Sequence, residues 1–512
     1  MAFLVHHLLA QTARRDPSKV ALVTGGIQRT FAELDADSDT VAKAFQNLGV
    51  RRGDRVAIML ENSVEYVTAF FGALKAGAVY VPVNPSTKAD KLAYILNDCG
   101  VRALVTPTAL ARNVLPALAN APSVTGTLWV GAVLPVLPQG GGSAASLGEI
   151  LAAPHATPAD PGCIDQDLAA VLYTSGTTGK PKGVMLTHAN LVATARSIAA
   201  YLKNTPDDVV LSVLPLTFGY GLSQVTTSAL VGFTLVLERS FAFPSDTLKR
   251  MVEHRITGLP GVPTFFATLL QMDAVKSADL SSLRYLTNAA APLPVAHIRR
   301  LVELFPQAAF YSMYGATECS TRITYLEPQH LFDKPASVGK AIPNCEAYVV
   351  DEDGNRVAPG VVGELAVRGA NVMRGYWNRP DATSKCLRDG VFLTGDLFRA
   401  DEDGFLHFVA RKDDVFKCRG EKVSPKEVES VICEIEDVAE AAVIGVADSV
   451  DGMAVKAFIV PCEGAALTQA AVVQHCRGRL EGHMVPKFVE FRADLPRTES
   501  GKLKRTKLTA TA

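Results

Sequence analysis

The chain holds 512 residues, enough for two or more domains around a large core. Apolar residues make up 48% of it and charged residues 20%, which argues against disorder. Lys plus Arg (51) nearly cancels Asp plus Glu (52), so the balance does not point to nucleic acid or an anionic membrane as the main partner.

The opening run, MAFLVHHLLAQTARR, lacks a basic leader region and a small-residue cleavage site, and reads as an amphipathic helix, not a signal peptide. The most apolar stretch, Tyr66–Pro85, is interrupted by Lys75 and Pro82 and predicts a core helix followed by a strand rather than a membrane span. Short β-rich runs at Arg55–Leu60, Ala103–Thr106 and Thr234–Glu238 alternate with helix-like runs such as Leu301–Phe305. That is an α/β pattern with mostly parallel strands. Leu137–Gly162, rich in Gly, Pro and Ala, predicts a surface excursion. Near Asp401 the texture changes. Ser424, with Glu427 three residues on, predicts a capping box, and Val428, Val431, Ile432 and Ile435 fall on one helical face. A small α+β domain therefore follows the large one, with boundaries expected at 1–410 and 411–512. Nine cysteines lie scattered with no CxxC pair, which favours reduced thiols and a cytoplasmic location over disulfides or zinc.

Directly after the apolar run Leu168–Tyr173 comes YTSGTTGKPKGV, with three glycines, one serine, three threonines and two lysines in twelve residues. Glycine lets backbone N–H groups approach phosphate oxygens, and hydroxyls and lysine add donors. A flexible surface turn is the plainer reading of such composition. A Walker loop does not fit: the glycines of Gly176-Thr-Thr-Gly179-Lys180-Pro181 are too close, and proline stands where Ser or Thr would ligate magnesium.

The longer stretch YTSGTTGKPKGVMLTHANL resembles the phosphate-loop signature of the adenylate-forming enzymes, the superfamily of acyl-CoA synthetases, peptide-synthetase adenylation domains and luciferases. Further segments resemble that family's motifs in order: MYGATECS (Met313–Ser320), VGELAVRG (Val362–Gly369), MRGYWNRPDAT (Met373–Thr383), FLTGDLF (Phe392–Phe398), the hinge-like Gly404–Glu429, and LPRTESGKLKRTKL (Leu495–Leu508). The resemblance spans essentially the whole chain. It implies a large N-terminal domain of stacked mixed and parallel sheets with helices plus a small β-barrel, then a small mobile α+β domain.

It also implies a two-step reaction. A carboxylate attacks the α-phosphorus of ATP, and a thiol then displaces AMP. The resemblance gives Lys502 the bridge between carboxylate and α-phosphate, Asp396 the ribose diol, Glu318 the Mg2+, Thr317 the α-phosphate, and Tyr314 with Gly315 the adenine side. Thr174, Ser175, Gly176, Thr177, Thr178, Gly179 and Lys182 would hold the β- and γ-phosphates. Arg411 would contact the ribose, Asp413 would be the hinge, and Gly420 and Lys422 would line the thiol channel. Read without the family, Lys502 is a solvated lysine in a basic tail and Glu318 an ordinary helix-start glutamate.

The acid pocket by the same carry-over is Phe218, Gly219, Tyr220, Ser223, Val262, Asn288, Ala289, Ala290 and Ser312. Leu214–Gln224 carries no acidic residue, which disfavours an α-amino acid. Phe218 departs from the histidine common in acyl-CoA synthetases. The set is small or neutral, with Arg322 the one nearby cation, and points to a monocarboxylate with a fatty or aryl body. The expectation is an AMP-forming acyl-CoA synthetase using ATP, Mg2+ and coenzyme A, with no nucleic-acid partner and no integral membrane segment. The alternatives are a ligase that loads an acyl carrier protein's phosphopantetheine arm, a luciferase-like oxidase, or a catalytically dead nucleotide-binding module.

Overall fold

A computed structural model describes residues 2–139, 142–174, 181–412, 414–419, 421–448, 452–497 and 503–508. The chain forms two compact units. The first comprises Met1–Phe332, Ala341–Glu346 and Arg368–Phe392, and the second Asp333–Lys340, Ala347–Val367 and Leu393–Ala512.

Two sheets organise the first unit. One has a parallel centre of Val20–Thr24, Thr234–Leu237, Val209–Ser212, Gly258–Gly261, Tyr285–Asn288 and Ala309–Tyr314, in that spatial order. The other has eight strands, ordered Gly375–Tyr376, Lys182–Thr187, Leu168–Thr174, Val79–Pro82, Arg55–Ile58, Val101–Pro107, Gly126–Val130 and Ser143–Ser146. Its strands are parallel from Leu168–Thr174 onward, while Lys182–Thr187 and Gly375–Tyr376 run antiparallel to their neighbours.

The expected elements take these places. The N-terminal helix is Val5–Arg15, burying Val5, Leu8, Leu9 and Ala13 at helical spacing. The apolar stretch is a helix, Val64–Lys75, buried along its whole length, then the strand Val79–Pro82. Lys75 is buried with it because its ammonium meets Asp35 Oδ1 at 2.6 Å and Asp39 Oδ1 at 2.7 Å. Among the described residues no helix is long and apolar enough to cross a membrane. The Leu137–Gly162 excursion differs in part from expectation: Ser143–Ser146 joins the second sheet as a parallel edge strand and Leu147–Ala152 is helical.

Cys345–Val350, Val362–Gly369, Val391–Ala400 and Leu406–Arg411, most of whose residues belong to the second unit, are successive neighbours in a half-barrel sheet, the counterpart of the expected small barrel. Beyond it lies the α+β portion. The strands Val438–Asp448, Gly452–Pro461 and Phe488–Phe491 form a sheet that packs with the helices Pro425–Ile432 and Gln469–Arg477. Ser424 caps the first of these helices through the Glu427 N–H, and Val428 and Ile432 are fully buried. The nine cysteines are free thiols.

Candidate active site

The strands Leu168–Thr174 and Lys182–Thr187 form an antiparallel hairpin with Thr174 opposite Lys182 and Tyr173 opposite Gly183. Their apolar residues, from Ala169 to Leu172 and Val184 to Leu186, hold them in the second sheet. The glycine-rich loop is therefore the connection of a buried hairpin. Its residues Ser175, Gly176, Thr177, Thr178 and Gly179 lie outside the described residues. Thr174 and Lys182 mark its two ends, with Thr174 Oγ1 donating to the Lys182 carbonyl at 3.5 Å.

Beside the hairpin, Gly375–Tyr376 adds a third strand, fixed by the Arg374 N–H to Met185 O (2.9 Å) and the Trp377 N–H to Gly183 O (2.7 Å). This pairing delivers Tyr376. Its hydroxyl donates to Glu318 Oε1 at 2.8 Å, and its ring lies under the Lys182 ammonium, 5.2 Å from the ring centre. Burial, and then the Glu318 carboxylate, raise the Tyr376 pKa, so the phenol remains a donor.

Glu318 stands in a tight turn. Tyr314 ends the strand Ala309–Tyr314, Gly315 follows, and Thr317–Cys319 forms a short 3₁₀ helix. A Cβ on Gly315 would sit 2.1 Å from the Thr321 carbonyl oxygen, so only glycine fits. Ser320 and Thr321 both adopt positive φ (50° and 69°), each costing roughly 1–2 kcal/mol. Ties to Met373, whose N–H donates to Glu318 O at 2.7 Å, and from Ser320 Oγ to Asn371 O at 2.9 Å hold this turn. Among the described residues no three His, Cys, Asp or Glu side chains gather as a metal cage. A single carboxylate suits Mg2+, which is bound through one or two carboxylates plus phosphate oxygens.

The residues expected to line an acid pocket lie at or beyond the carboxyl ends of the parallel strands, where open α/β sheets bind ligands. Gly261, Asn288 and Ser312 are direct neighbours across three strands, and Val262, Ala289 and Ala290 follow the first two. Ala290 is exposed and has φ of 72°. Asn288 is buried, its Oδ1 without a hydrogen-bond partner among the described residues while Nδ2 donates to Ala291 O at 3.0 Å. Phe218 precedes the helix Gly219–Val231, and from its first turn Tyr220 donates to Thr287 O at 3.0 Å. Along that helix a cavity opens, lined by Gly219, Leu222, Ser223 and Thr226, by Leu172 and Leu186 of the hairpin, by Leu191 and Thr194, and by Ser320 and Thr321.

Arg322 is only 1% exposed and no carboxylate pairs with it among the described residues. Its donors go to neutral oxygens: Tyr201 Oη (3.2 Å), Thr321 O (3.0 Å) and Ser223 Oγ (3.3 Å), with the Tyr220 ring 4.5 Å away. The guanidinium thus braces the pocket wall.

In the second unit the TGD turn is built by Thr394, whose hydroxyl accepts the Asp396 N–H at 3.1 Å, and by Gly395 at φ 72°. Glu364 accepts the Gly395 N–H at 2.8 Å and pairs with Lys412 at 2.9 Å. Asp396 is 5% exposed and faces Arg411 across the strands, with Nε 2.9 Å from Oδ1. The two residues expected at the ribose are therefore one ion pair.

Lys502, Asp413 and Gly420 lie outside the described residues, as does the side chain of Lys422, whose backbone pairs with Lys417 in a hairpin. Lys502 has anchors on both sides: Leu495 and Leu508 pack on Ala442, Ile444 and Phe458, and Arg505 pairs with buried Glu429 and, at 3.2 Å, with Asp414. Within this basic tail Arg505 is paired, while Lys504 and Lys507 are exposed.

Sequence reasoning passed over Tyr376, although its motif was in hand, and Asp98, which hydrogen-bonds Tyr173 next to the loop. A tyrosine after glycine in MRGYWNRPDAT was the available signal for the first.

A family model described as "AMP-binding enzyme" matches residues 9–377, and one described as "AMP-binding enzyme C-terminal domain" matches residues 427–502. The chain is 33% identical over 537 residues to a long-chain-fatty-acid–CoA ligase of Bacillus subtilis (strain 168), covering 98% of this chain and 93% of that one. It is 35% identical over 492 residues to a feruloyl-CoA synthase of Amycolatopsis sp, covering 96% and 95%. Among solved structures, an anthranilate CoA ligase in complex with anthranoyl-AMP superposes with a TM-score of 0.90 at 28% identity, covering 99% and 96% of the two chains.

Proposed function

We propose, for a chain that belongs to the AMP-binding enzyme family and is an AMP-forming acid–CoA ligase, that its acid is a neutral-tailed fatty or aryl monocarboxylate. ATP and CoA are its co-substrates. The observation that supports the acid class is the lining of the cavity: leucines, a glycine and hydroxyl residues with no charged side chain among them, while Arg322, behind Ser223 and Thr321, is committed to neutral oxygens.

In the first step a carboxylate oxygen bonds to the α-phosphorus, and the bond to the β-phosphate bridge breaks, releasing pyrophosphate. Thr174, Lys182 and the loop between them hold the outer phosphates, Thr317 the α-phosphate, and Tyr314 with Gly315 the adenine. Glu318 would hold the Mg2+, with Tyr376 fixing one of its carboxylate oxygens. When bound, Mg2+ neutralises charge on the phosphates. Asp396 holds the ribose hydroxyls with its orientation set by Arg411. Lys502 brings a compact positive charge to the meeting point of carboxylate and phosphate. In the second step the CoA thiolate attacks the acyl carbon and the bond to AMP breaks. Residues 411–512 act as the mobile domain, turning about Asp413 so that Gly420 and Lys422 approach the thiol. The nine free thiols and the use of ATP and CoA support a cytoplasmic place.

The test is AMP release across fatty, aryl and short-chain acids, first with CoA and then with a holo carrier protein. AMP and acyl-CoA from fatty or aryl acids are expected. Release only with the carrier protein would move the reading to the carrier-loading alternative, and no release with any acid would overturn it.

A further inference from the structure

Asp98 sits at the penultimate position of the helix Ala89–Cys99, where the negative end of the helix dipole disfavours a carboxylate. Its side chain is 10% exposed. A partly buried acid in such a place needs partners, and both its carboxylate and its backbone carbonyl have them. The Tyr173 hydroxyl donates to Oδ2 at 2.6 Å. Arg379 Nη2 donates to Oδ1 at 2.8 Å. The Asp98 carbonyl accepts from Trp377 Nε1 at 2.9 Å and Asn378 Nδ2 at 3.2 Å.

These partners share a geometry. Tyr173 is the residue before Thr174, at the entrance of the glycine-rich loop. The loop's exit is held from the same point: Arg379 Nη2 also donates to Tyr94 Oη at 3.0 Å, and that hydroxyl donates to the Pro181 carbonyl at 3.2 Å. Trp377, Asn378 and Arg379 directly follow Tyr376, which holds Glu318. The Asp98 carboxylate therefore ties both ends of the loop through Tyr173 and Arg379, and its backbone carbonyl holds Trp377 and Asn378 next to the strand that orients the glutamate. Burial, followed by the fields of Cys99 and Asp98, raises the Tyr173 pKa, so the phenol stays protonated as a donor.

We propose that Asp98 is a positioning residue for ATP binding, its carboxylate holding the loop ends and, through Arg379, the Tyr376–Glu318 pair in one arrangement. It touches neither nucleotide nor metal. The inference rests on the reading that this loop and Glu318 receive MgATP.

The experiment measures MgATP affinity by calorimetry on the full chain without acid, together with KM for acid and for CoA in turnover. Asp98→Asn keeps the shape and removes the charge, and Tyr173→Phe removes one hydroxyl. Each should weaken MgATP binding, Asp98→Asn by about tenfold or more and Tyr173→Phe by less, with KM for CoA unchanged. Adding Arg379→Gln to Asp98→Asn should cost less than the sum of the two single changes. MgATP affinity equal to wild type in both single variants would overturn the proposal, as would an equal loss in the affinities for MgATP, acid and CoA. Wild-type MgATP binding without turnover of any acid would instead sink the ligase reading and leave the role of Asp98 standing.

Discussion

The Tyr376 hydroxyl donates to Glu318 Oε1 at 2.8 Å across a gap of 58 residues. The bond fixes one oxygen of the carboxylate. Tyr376→Phe keeps the ring and its contact with Lys182 but frees Glu318. A hydrogen bond to a charged group contributes about 1.5–3 kcal/mol, so adenylation should fall roughly tenfold to a hundredfold. The Mg2+ concentration for half-maximal rate should rise. Thioester formation from supplied acyl-adenylate should persist. Pyrophosphate exchange measured across a Mg2+ titration checks this, and an unchanged Mg2+ requirement would remove Tyr376 from the metal's support.

Lys502→Ala should slow adenylation by about a hundredfold or more, the magnitude expected for losing one well-placed donor to developing charge. The same variant should convert supplied acyl-adenylate and CoA to thioester at nearly the wild-type rate. Single-turnover measurements of the two half-reactions separate these outcomes. Full adenylation activity would show that the lysine is only part of a basic tail.

The cavity beside Gly219 offers a size test of the proposed acyl site. A Cβ on Gly219 would lie 2.2 Å from Thr321 Cγ2, a side-chain atom that must move. Gly219→Val should therefore shrink the cavity and lower kcat/KM for long or bulky acids more than for short ones. One lost methylene in such a pocket changes discrimination by about 1–3 kcal/mol, tenfold or more. A uniform loss across acids would place Gly219 outside the acyl path.

Stability should depend on pH through His188, the first residue of the helix His188–Tyr201. Its Nδ1 accepts the Val5 N–H at 3.1 Å, which requires an unprotonated nitrogen. Burial lowers its pKa from 6.5 to about 4, with Asp167 opposing and His7 assisting. Between these values the unfolded chain takes up a proton that the native chain refuses. Stability is thus complete above pH 6.5 and falls as pH drops toward 4. At pH 5 this single group costs on the order of 2 kcal/mol. Denaturant titrations at pH 7.5 and pH 5 should show the loss, and His188→Asn, which keeps an acceptor, should shrink it. An identical loss in the variant would assign the effect elsewhere, with the neighbouring half-buried His6, whose pKa is lowered to about 2, the next group to change.

Much of the fold was legible where the signal is local. The alternating strands, the buried helix Val64–Lys75 and the cap at Ser424 each carry their own pattern of burial and hydrogen bonding. Ser143–Ser146 was not legible, because SAAS has neither β-branched residues nor alternation and becomes a strand only by pairing with Gly126–Val130. The glycine-rich loop, Glu318 and Asp396 stood out through motifs. Asp98 could not, since it meets Tyr173 only across 75 residues and looks like any helical acid in its own context. Arg322 was visible as a cation near the pocket, but its commitment to Tyr201, Thr321 and Ser223 is a tertiary fact.

The central claim is that the acid's carboxylate oxygen attacks the α-phosphorus of ATP. Supplying a fatty or aryl acid labelled with 18O in its carboxylate, with ATP and CoA, and analysing the products by mass spectrometry tests it directly. One labelled oxygen should appear in AMP and none in inorganic pyrophosphate. Label in inorganic phosphate with ADP as the nucleotide product, or AMP without label, would contradict it.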